Sequence, residues 1–430
     1  MAQLKVLISG AGIAGNALAF WLSKMGHDVT VIERFPALRA TGLQIDLRGH
    51  GIEVMRRMGL EPSFRAKSVK EQGLEVVDRS GRRMAYFPAN RSGKGIQSFT
   101  TDFEILRGDL CRLLYGATVD RVKYVFGTSL ESINDNDGFV EAVFSDGRKE
   151  RFDLIVGADG QGSRTRRLIL DADAADPFHP LGVNIAYFTL PRRVGGDEYL
   201  ASVYIAPQRR FVAMRRHNPR EIQVYLACKP DSCKPNSDRL KNARKGDVVE
   251  EKLGFAEIFR GAGWQTDNIL EALEHADDFY CERLGVVKLD CWSRGRVVLL
   301  GDAAYCPSAT TGMGTTCSLV GAYILAGEIG KHCRRGSGGD ADGSATKDAL
   351  SSAFKAYEET FRPFIDQVQR GLSDGSSSWD RVPSTSFGIA VLHFLLAIAS
   401  FFRLDVLARF VLRENVQGWA LPEYDEMMSC

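Results

Sequence analysis

Three glycines in the run Gly10-Ala11-Gly12-Ile13-Ala14-Gly15 have the spacing with which a chain grips a diphosphate. The first permits a tight turn, the second lets a pyrophosphate touch the backbone, and the third lets a helix pack closely on a strand. Ile13 and Ala14 open that helix, whose first turn offers unpaired N–H groups and a partial positive charge. Glu33 lies 18 residues beyond Gly15, followed by Arg34. That is near the roughly 20-residue offset at which a carboxylate accepts from ribose hydroxyls. A structural turn with an unrelated surface glutamate is the competing reading. The fingerprint leaves NAD and FAD undistinguished, because both present the same adenosine diphosphate half.

Two further runs place an acid at the end of a buried strand. In Asp153-Leu-Ile-Val-Gly-Ala-Asp159-Gly160 a carboxylate either contacts cofactor or fixes its loop. In Val297-Val-Leu-Leu-Gly301-Asp302 the device recurs, and Asp302 is placed to accept from a polyol hydroxyl at the carboxyl end of a strand. Thr311-Gly312-Met313-Gly314-Thr315 then offers backbone N–H groups at the start of the next helix, a cradle for a carbonyl or phosphate. No Ser/His/Asp set or metal cluster competes as catalyst, and the seven histidines are scattered.

The elements that must hold these residues begin with strand, glycine turn, helix and strand from Leu4 to Glu33, a βαβ unit that demands a parallel sheet. Alternation from Gly73 to Tyr86 around Ser80-Gly81 reads as an inserted hairpin. Short strands follow a helical run from Asp109. Residues 183–226 alternate β-branched and aromatic residues as an antiparallel meander does. Helices are expected over Val248–Arg260, Asn268–His275, Thr315–His332 and Asp348–Gln369, with a solvated loop over 334–347. The fold class is therefore α/β, a Rossmann-type domain with an inserted antiparallel-sheet substrate domain and a C-terminal helical segment. The expected divisions are 1–72, 98–174 and 279–370 for the nucleotide domain, 73–97 and 175–278 for the sheet domain, and 371–430 for the helical region.

With 55 basic and 54 acidic residues the 430-residue chain has a net charge of +1. No global field draws it to nucleic acid or anionic lipid, so the natural partner is a small molecule. Nine cysteines without a CxxC pair fit a reducing compartment. Together with the lack of a signal-like N-terminus this suggests the cytoplasm. Gly388–Phe402 is apolar apart from His393 and Ser400. It falls short of the roughly 20 residues of a spanning helix, so a buried or dimer-forming helix is the favoured reading. With Arg403 and Arg409 beyond it, a helix lying on a membrane surface is the alternative. Oligomeric state stays open.

Taken in order, GAGIAG with Glu33-Arg34, then Ile105-Leu106-Arg107-Gly108-Asp109-Leu110, then GADGQGSRTR, then GDAAYCPSATTGMGT resemble the single-component FAD-dependent aromatic hydroxylases, the p-hydroxybenzoate hydroxylase family. The tetracycline-inactivating branch is the nearest in flavour, and the likeness spans about residues 1–370. The resemblance implies that FAD is the bound cofactor and that NAD(P)H visits transiently to reduce it. O2 would then add at the flavin C4a carbon, and the hydroperoxide would hydroxylate or epoxidise an aromatic or polycyclic molecule. It assigns Asp159 to FAD and the nicotinamide donor, Asp302 to the ribityl chain and Arg107 to the ribityl-phosphate side. The run Gly42-Leu-Gln-Ile-Asp46-Leu-Arg48-Gly49 resembles the loop beside the isoalloxazine, with Asp46 and Arg48 near the ring edge. For Arg48 a solvated charge is the alternative.

Tyr187, Tyr204, Phe211, Met214, Arg215 and Tyr225 are candidate substrate walls, about half of which strand alternation must send to the core. Two positions depart from the family pattern: Tyr305 stands where it has His, and Met313 interrupts its glycine loop. A Baeyer–Villiger enzyme, a flavin oxidase, and a redox-silent flavin-binding protein or cyclase share the scaffold. The GWxWxIP run of halogenases is missing around both Gly-Trp pairs, Gly263-Trp264 and Gly418-Trp419.

Overall fold

Val6, Leu7 and Ile8 are wholly buried, which is what a strand covered on both faces requires of a continuous apolar run. The computed structural model describes residues 3–39, 43–89, 103–171, 173–191, 199–218, 220–233, 235, 237–333, 344–372, 378–402, 416 and 418–428. Gly42, most of the expected loop at 334–347, and Arg403 and Arg409 lie outside them. A six-stranded sheet runs in the order Ser293–Arg294, Val297–Leu299, Leu154–Gly157, Lys5–Ser9, Asp28–Glu33, Lys123–Phe126. All its pairings are parallel except that of the first two strands.

Val6 and Ile8 point into the main core, shared with the helices Ile13–Lys24 and Gly314–His332, while Leu7 points into a smaller core under the three-stranded sheet Leu130–Asp135, Val140–Phe144, Lys149–Phe152. The helix Gly314–His332 is buried without a break from Thr315 to Gly330. Packed between other elements, it has no solvent face to make amphipathic.

A seven-stranded sheet runs Tyr280–Val287, Phe178–Pro191, Glu221–Cys228, Arg210–Asn218, Leu200–Ala206, Gly73–Val77, Arg83–Pro88. The expected meander and the Gly73 hairpin thus join one sheet. It is not wholly antiparallel: Leu200–Ala206 pairs parallel to Gly73–Val77. Those two strands come from distant stretches of chain, so no tight hairpin dictates their direction. Tyr280–Val287, which the divisions above put with the nucleotide domain, pairs with Phe178–Pro191.

One face of this sheet, carrying Tyr204, Val212, Met214, Val224 and Leu226, packs on Phe255, Phe259, Ile269 and Leu273 of the helices Val248–Phe259 and Thr266–His275. By alternation the other face carries Tyr187, Phe211, Arg215, Gln223, Tyr225 and Glu282. The edge strand Arg83–Pro88 is covered by the helix Ser386–Phe401, into which the apolar C-terminal segment folds. Ser400 Oγ accepts from Tyr86 N at 3.1 Å and donates to Tyr86 O at 2.7 Å, so the helix occupies the strand's open backbone groups. Among the described residues no helix is long and apolar enough to cross a membrane.

Candidate cofactor and substrate site

The glycine turn forms because its three glycines meet three different demands. Gly10 has φ +112, and a Cβ there would lie 2.5 Å from Ala158 O. A Cβ on Gly15 would overlap the Gly10 carbonyl oxygen. A Cβ on Gly12 would meet nothing within 4 Å, so this position faces open space at the helix N-terminus, which has no side-chain cap. Two side chains hold the turn from behind. Glu33 accepts from Ala11 N at 3.0 Å and Phe35 N at 3.1 Å. Asn16 Nδ2 donates to Ala11 O at 2.7 Å and Gly12 O at 3.0 Å, and its Oδ1 accepts from Tyr124 OH at 2.7 Å. Arg34 is exposed, 4.9 Å from the Phe35 ring centroid.

The second glycine loop meets the first through the Gly301-Asp302 turn. Gly301 has φ +65 and lies against Ala14, whose Cβ would be 2.9 Å from a Cβ at 301. Gly312 adopts the left-handed conformation, and Gly314, like Gly12, would present a Cβ to open space. Arg48 is buried beside this loop, 3.7 Å from a Cβ at Gly312. Its backbone exchanges hydrogen bonds with Thr316 Oγ1, and its guanidinium pairs with Asp46 at 2.7 Å. The solvated-charge alternative for Arg48 is thereby removed.

Asp159 fixes its loop. Its Oδ1 accepts from Ser163 Oγ and its Oδ2 from Arg164 N, Thr165 N and Thr165 Oγ1, which ties it to the first turn of the helix Arg164–Ile169. Oδ1 keeps one acceptor position beyond these bonds.

An ionic network joins the seven-stranded sheet to a two-stranded ribbon formed by Gln44–Asp46 and Glu104–Leu106. Arg215 forks onto Glu71 at 2.9 and 2.8 Å and also reaches Glu104 at 2.8 Å. Glu104 takes a hydrogen bond from Gln44, whose own N–H donates to Gln223 and Tyr225. Burial, with the charges of Asp46 and Glu71 and a hydrogen bond to Asp46, pushes the Glu104 carboxyl well above the usual range, against the pull of Arg215. Burial in this way favours the neutral form of Glu104, whose Oε2 still accepts from Arg215 and Gln44.

At the other end of the face, Tyr187 donates to Glu282 at 3.3 Å. Burial first and the nearby charge of Asp302 second raise Glu282 to about 7, with Arg107 and Lys245 opposing. Burial also raises Asp302, and Arg107 again opposes. Arg107, Asp302 and Glu282 are thus one electrostatic cluster. Arg39 lies 4.5 Å from the Tyr280 ring centroid at its rim. A cavity beside Tyr187 is lined by Arg39, Leu43, Gln223, Tyr225, Asp278 and Tyr280.

The model of the FAD binding domain family matches residues 3–342. The FAD-dependent monooxygenase asL4 of Sarocladium schorii is 49% identical over 433 residues, covering 100% of both chains. The chain belongs to the FAD-dependent monooxygenases. This monooxygenase is also 41% identical over 416 residues to the flavin-dependent monooxygenase eupH of a Phoma species, covering 93% of each. Among solved structures, tetracycline destructase Tet(51) aligns with a TM-score of 0.76 at 28% identity, covering 98% of this chain and 100% of that one. FAD is its cofactor, and the residues present fit that group. Two uncapped helix N-termini, each fronted by a glycine whose missing Cβ leaves open space, come together through Gly301 and Ala14.

At both positions that depart from the family pattern the side chain is in the core. Tyr305 is buried, hydrogen-bonded to Tyr357 at 3.0 Å and packed on Trp292 and Phe361. Met313 is likewise a core residue. Of the six candidate walls, Tyr187, Phe211, Arg215 and Tyr225 lie on the face turned to the nucleotide side. Tyr204 and Met214 are in the core, and Tyr204 OH is bound to Ala262 O at 2.7 Å. Arg215 is taken up by Glu71 and Glu104. Asn16, Glu104 and Glu282 escaped the sequence reading; the one signal each carried was a polar residue inside an otherwise apolar run.

Proposed function

We propose that this monooxygenase uses NAD(P)H and O2 to hydroxylate or epoxidise an aromatic or polycyclic small molecule. The observation that carries the reading is the tyrosine wall. Tyr187 meets Tyr225 edge to face at 5.3 Å and stacks with Tyr280 at 6.3 Å, on the sheet face opposite the two glycine loops. Flat aromatic walls of this kind suit a flat, electron-rich substrate. The name of the tetracycline destructase whose structure aligns agrees with a ring-bearing substrate.

Bound FAD would supply the transfer of electrons from nicotinamide to dioxygen. The chain's own residues bind and orient. The turn at Gly10–Gly15 would take the pyrophosphate with Ile13 and Ala14, Glu33 the ribose, and Arg107 with Asp302 the ribityl side. N–H groups of Gly314 and Thr315 would stabilise negative charge on the ring's carbonyl edge. Arg48, fixed by Asp46 and Thr316, adds positive charge behind that loop without reaching water. Glu282, raised to about 7, lies against Tyr187, and through it can hold or release a proton at the phenol oxygen.

The test is a screen of aromatic metabolites for those that accelerate NADPH consumption, followed by product analysis under labelled dioxygen. One labelled oxygen atom in the product is the expected result. Accelerated consumption with the label found only in hydrogen peroxide would overturn the reading in favour of an oxidase. Flavin that stays oxidised with NADPH and every candidate would favour a redox-silent protein.

A further inference from the structure

We propose that the helix Ser386–Phe401 is the seam of a homodimer, pairing antiparallel with the same helix of a second copy. Phe387, Val391, Phe394, Ile398 and Phe401 follow one another at intervals of four, three, four and three, and all are between 38% and 81% exposed. That is the spacing of a helix seam built for knobs-into-holes packing against another helix. Leu395 and Phe402 widen it on one side and are also exposed.

The stripe reads the same in both directions about Phe394: Phe, β-branched, Phe, β-branched, Phe. Two copies crossing at Phe394 set each Phe387 against the other's Phe401 and each Val391 against the other's Ile398. This is the self-complementarity that a two-fold contact requires. Taking roughly 200 Å² for a whole aromatic side chain and less for the aliphatic ones, the seven residues offer on the order of 800 Å² per copy. That equals the ~800 Å² per partner of a standard stable interface.

The helix is also held ready. Thr385 caps its N-terminus by accepting from Gly388 N at 3.2 Å, and Ser400 ties its last turn to Tyr86, so little ordering entropy is left to lose on pairing. A net charge of +1 per chain offers little repulsion between copies. A lipid surface fits less well. From Ser384 to Phe402 the chain carries no Lys, Arg, Asp or Glu, whereas helices that lie on membranes present basic residues on their polar face.

Sedimentation velocity on the full-length, FAD-loaded protein is expected to show a dimer at micromolar concentration, and Phe394→Glu a monomer with unchanged FAD content and melting temperature. In a background lacking Cys291 and Cys430, Phe394→Cys treated with diamide should give a covalent dimer. Two thiols then lose two protons and two electrons to the diamide as one S–S bond forms across the axis. Val249→Cys, 65% exposed on the helix Val248–Phe259, should not cross-link. A wild type that is monomeric at every concentration overturns the proposal, as does a dimer that survives Phe394→Glu. Flotation of a monomeric wild type with phosphatidylcholine or phosphatidylserine vesicles would assign the stripe to lipid. A Phe394→Glu monomer that melts well below wild type would assign it to a segment of its own chain.

Discussion

Arg48 pairs with Asp46, and Arg215 with Glu71 and Glu104, while burial pushes the Glu104 carboxyl well above its usual range, toward the neutral form. Glu104→Gln keeps the neutral form's shape and should leave the urea midpoint nearly unchanged, whereas Arg215→Met strands buried charge and should cost about 3–5 kcal/mol. Glu282 gives a pH signature of opposite character to an ordinary carboxylate. Its folded value, about 7, exceeds the ordinary 4.5, so the native state holds a proton the unfolded chain has released. The contribution is present below pH 4.5 and lost as pH rises to about 7, by at most ~3 kcal/mol. Glu282→Gln should flatten that slope in urea titrations of FAD-free protein at pH 5 and pH 8. Asp302→Ala and Glu33→Ala should each weaken FAD binding by roughly 10- to 100-fold, the worth of one charge-assisted hydrogen bond. Equilibrium dialysis reads this directly, and undiminished binding in both variants would refute the assignment. The sequence showed Glu33 through its offset from Gly15 at the end of a strand, and Asp159 and Asp302 because each follows a buried strand beside glycine. Glu104 and Glu282 were illegible because their significance comes from partners 60 to 111 residues away: Gln44, Arg215 and Tyr187.

At the scale of elements, a methyl group separates structure from binding in the glycine turn. Gly15→Ala would drive a Cβ into the Gly10 carbonyl and force the helix Ile13–Lys24 off its strand, costing ~1–3 kcal/mol or more. Gly12→Ala points into open space. It should fold with an unchanged melting temperature in the FAD-free state and yet lose FAD, because the methyl occupies the room a diphosphate needs. Spectrophotometric flavin content beside calorimetry distinguishes the two variants. The parallel strands and the helix Gly314–His332 were legible from unbroken apolar runs. Tyr280–Val287 was not recognised as part of the outer sheet, since Glu282 and Arg283 break the alternation that marks its neighbours. The candidate wall residues divided as a period of two demands, four toward the nucleotide side and two into the core. Sequence alone gave no way to tell which parity was which, because the sign is set by the helices Val248–Phe259 and Thr266–His275 packing on one face.

Across the whole molecule, the outer sheet is tied by charge and hydrogen bonds to the ribbon Gln44–Asp46, Glu104–Leu106, which runs directly into Arg107 on the nucleotide side. Arg215 of the outer sheet reaches Glu104 of that ribbon, and Gln44 is bonded to Gln223 and Tyr225. For a biochemist wishing to dissect the enzyme, that bond pattern has a practical outcome. Cutting the chain into a nucleotide-binding half and a sheet half would bare an acid on one fragment and a guanidinium on the other. Neither piece should then be obtainable as a well-behaved protein, and the intact chain should give one calorimetric peak where a loosely tethered pair would give two.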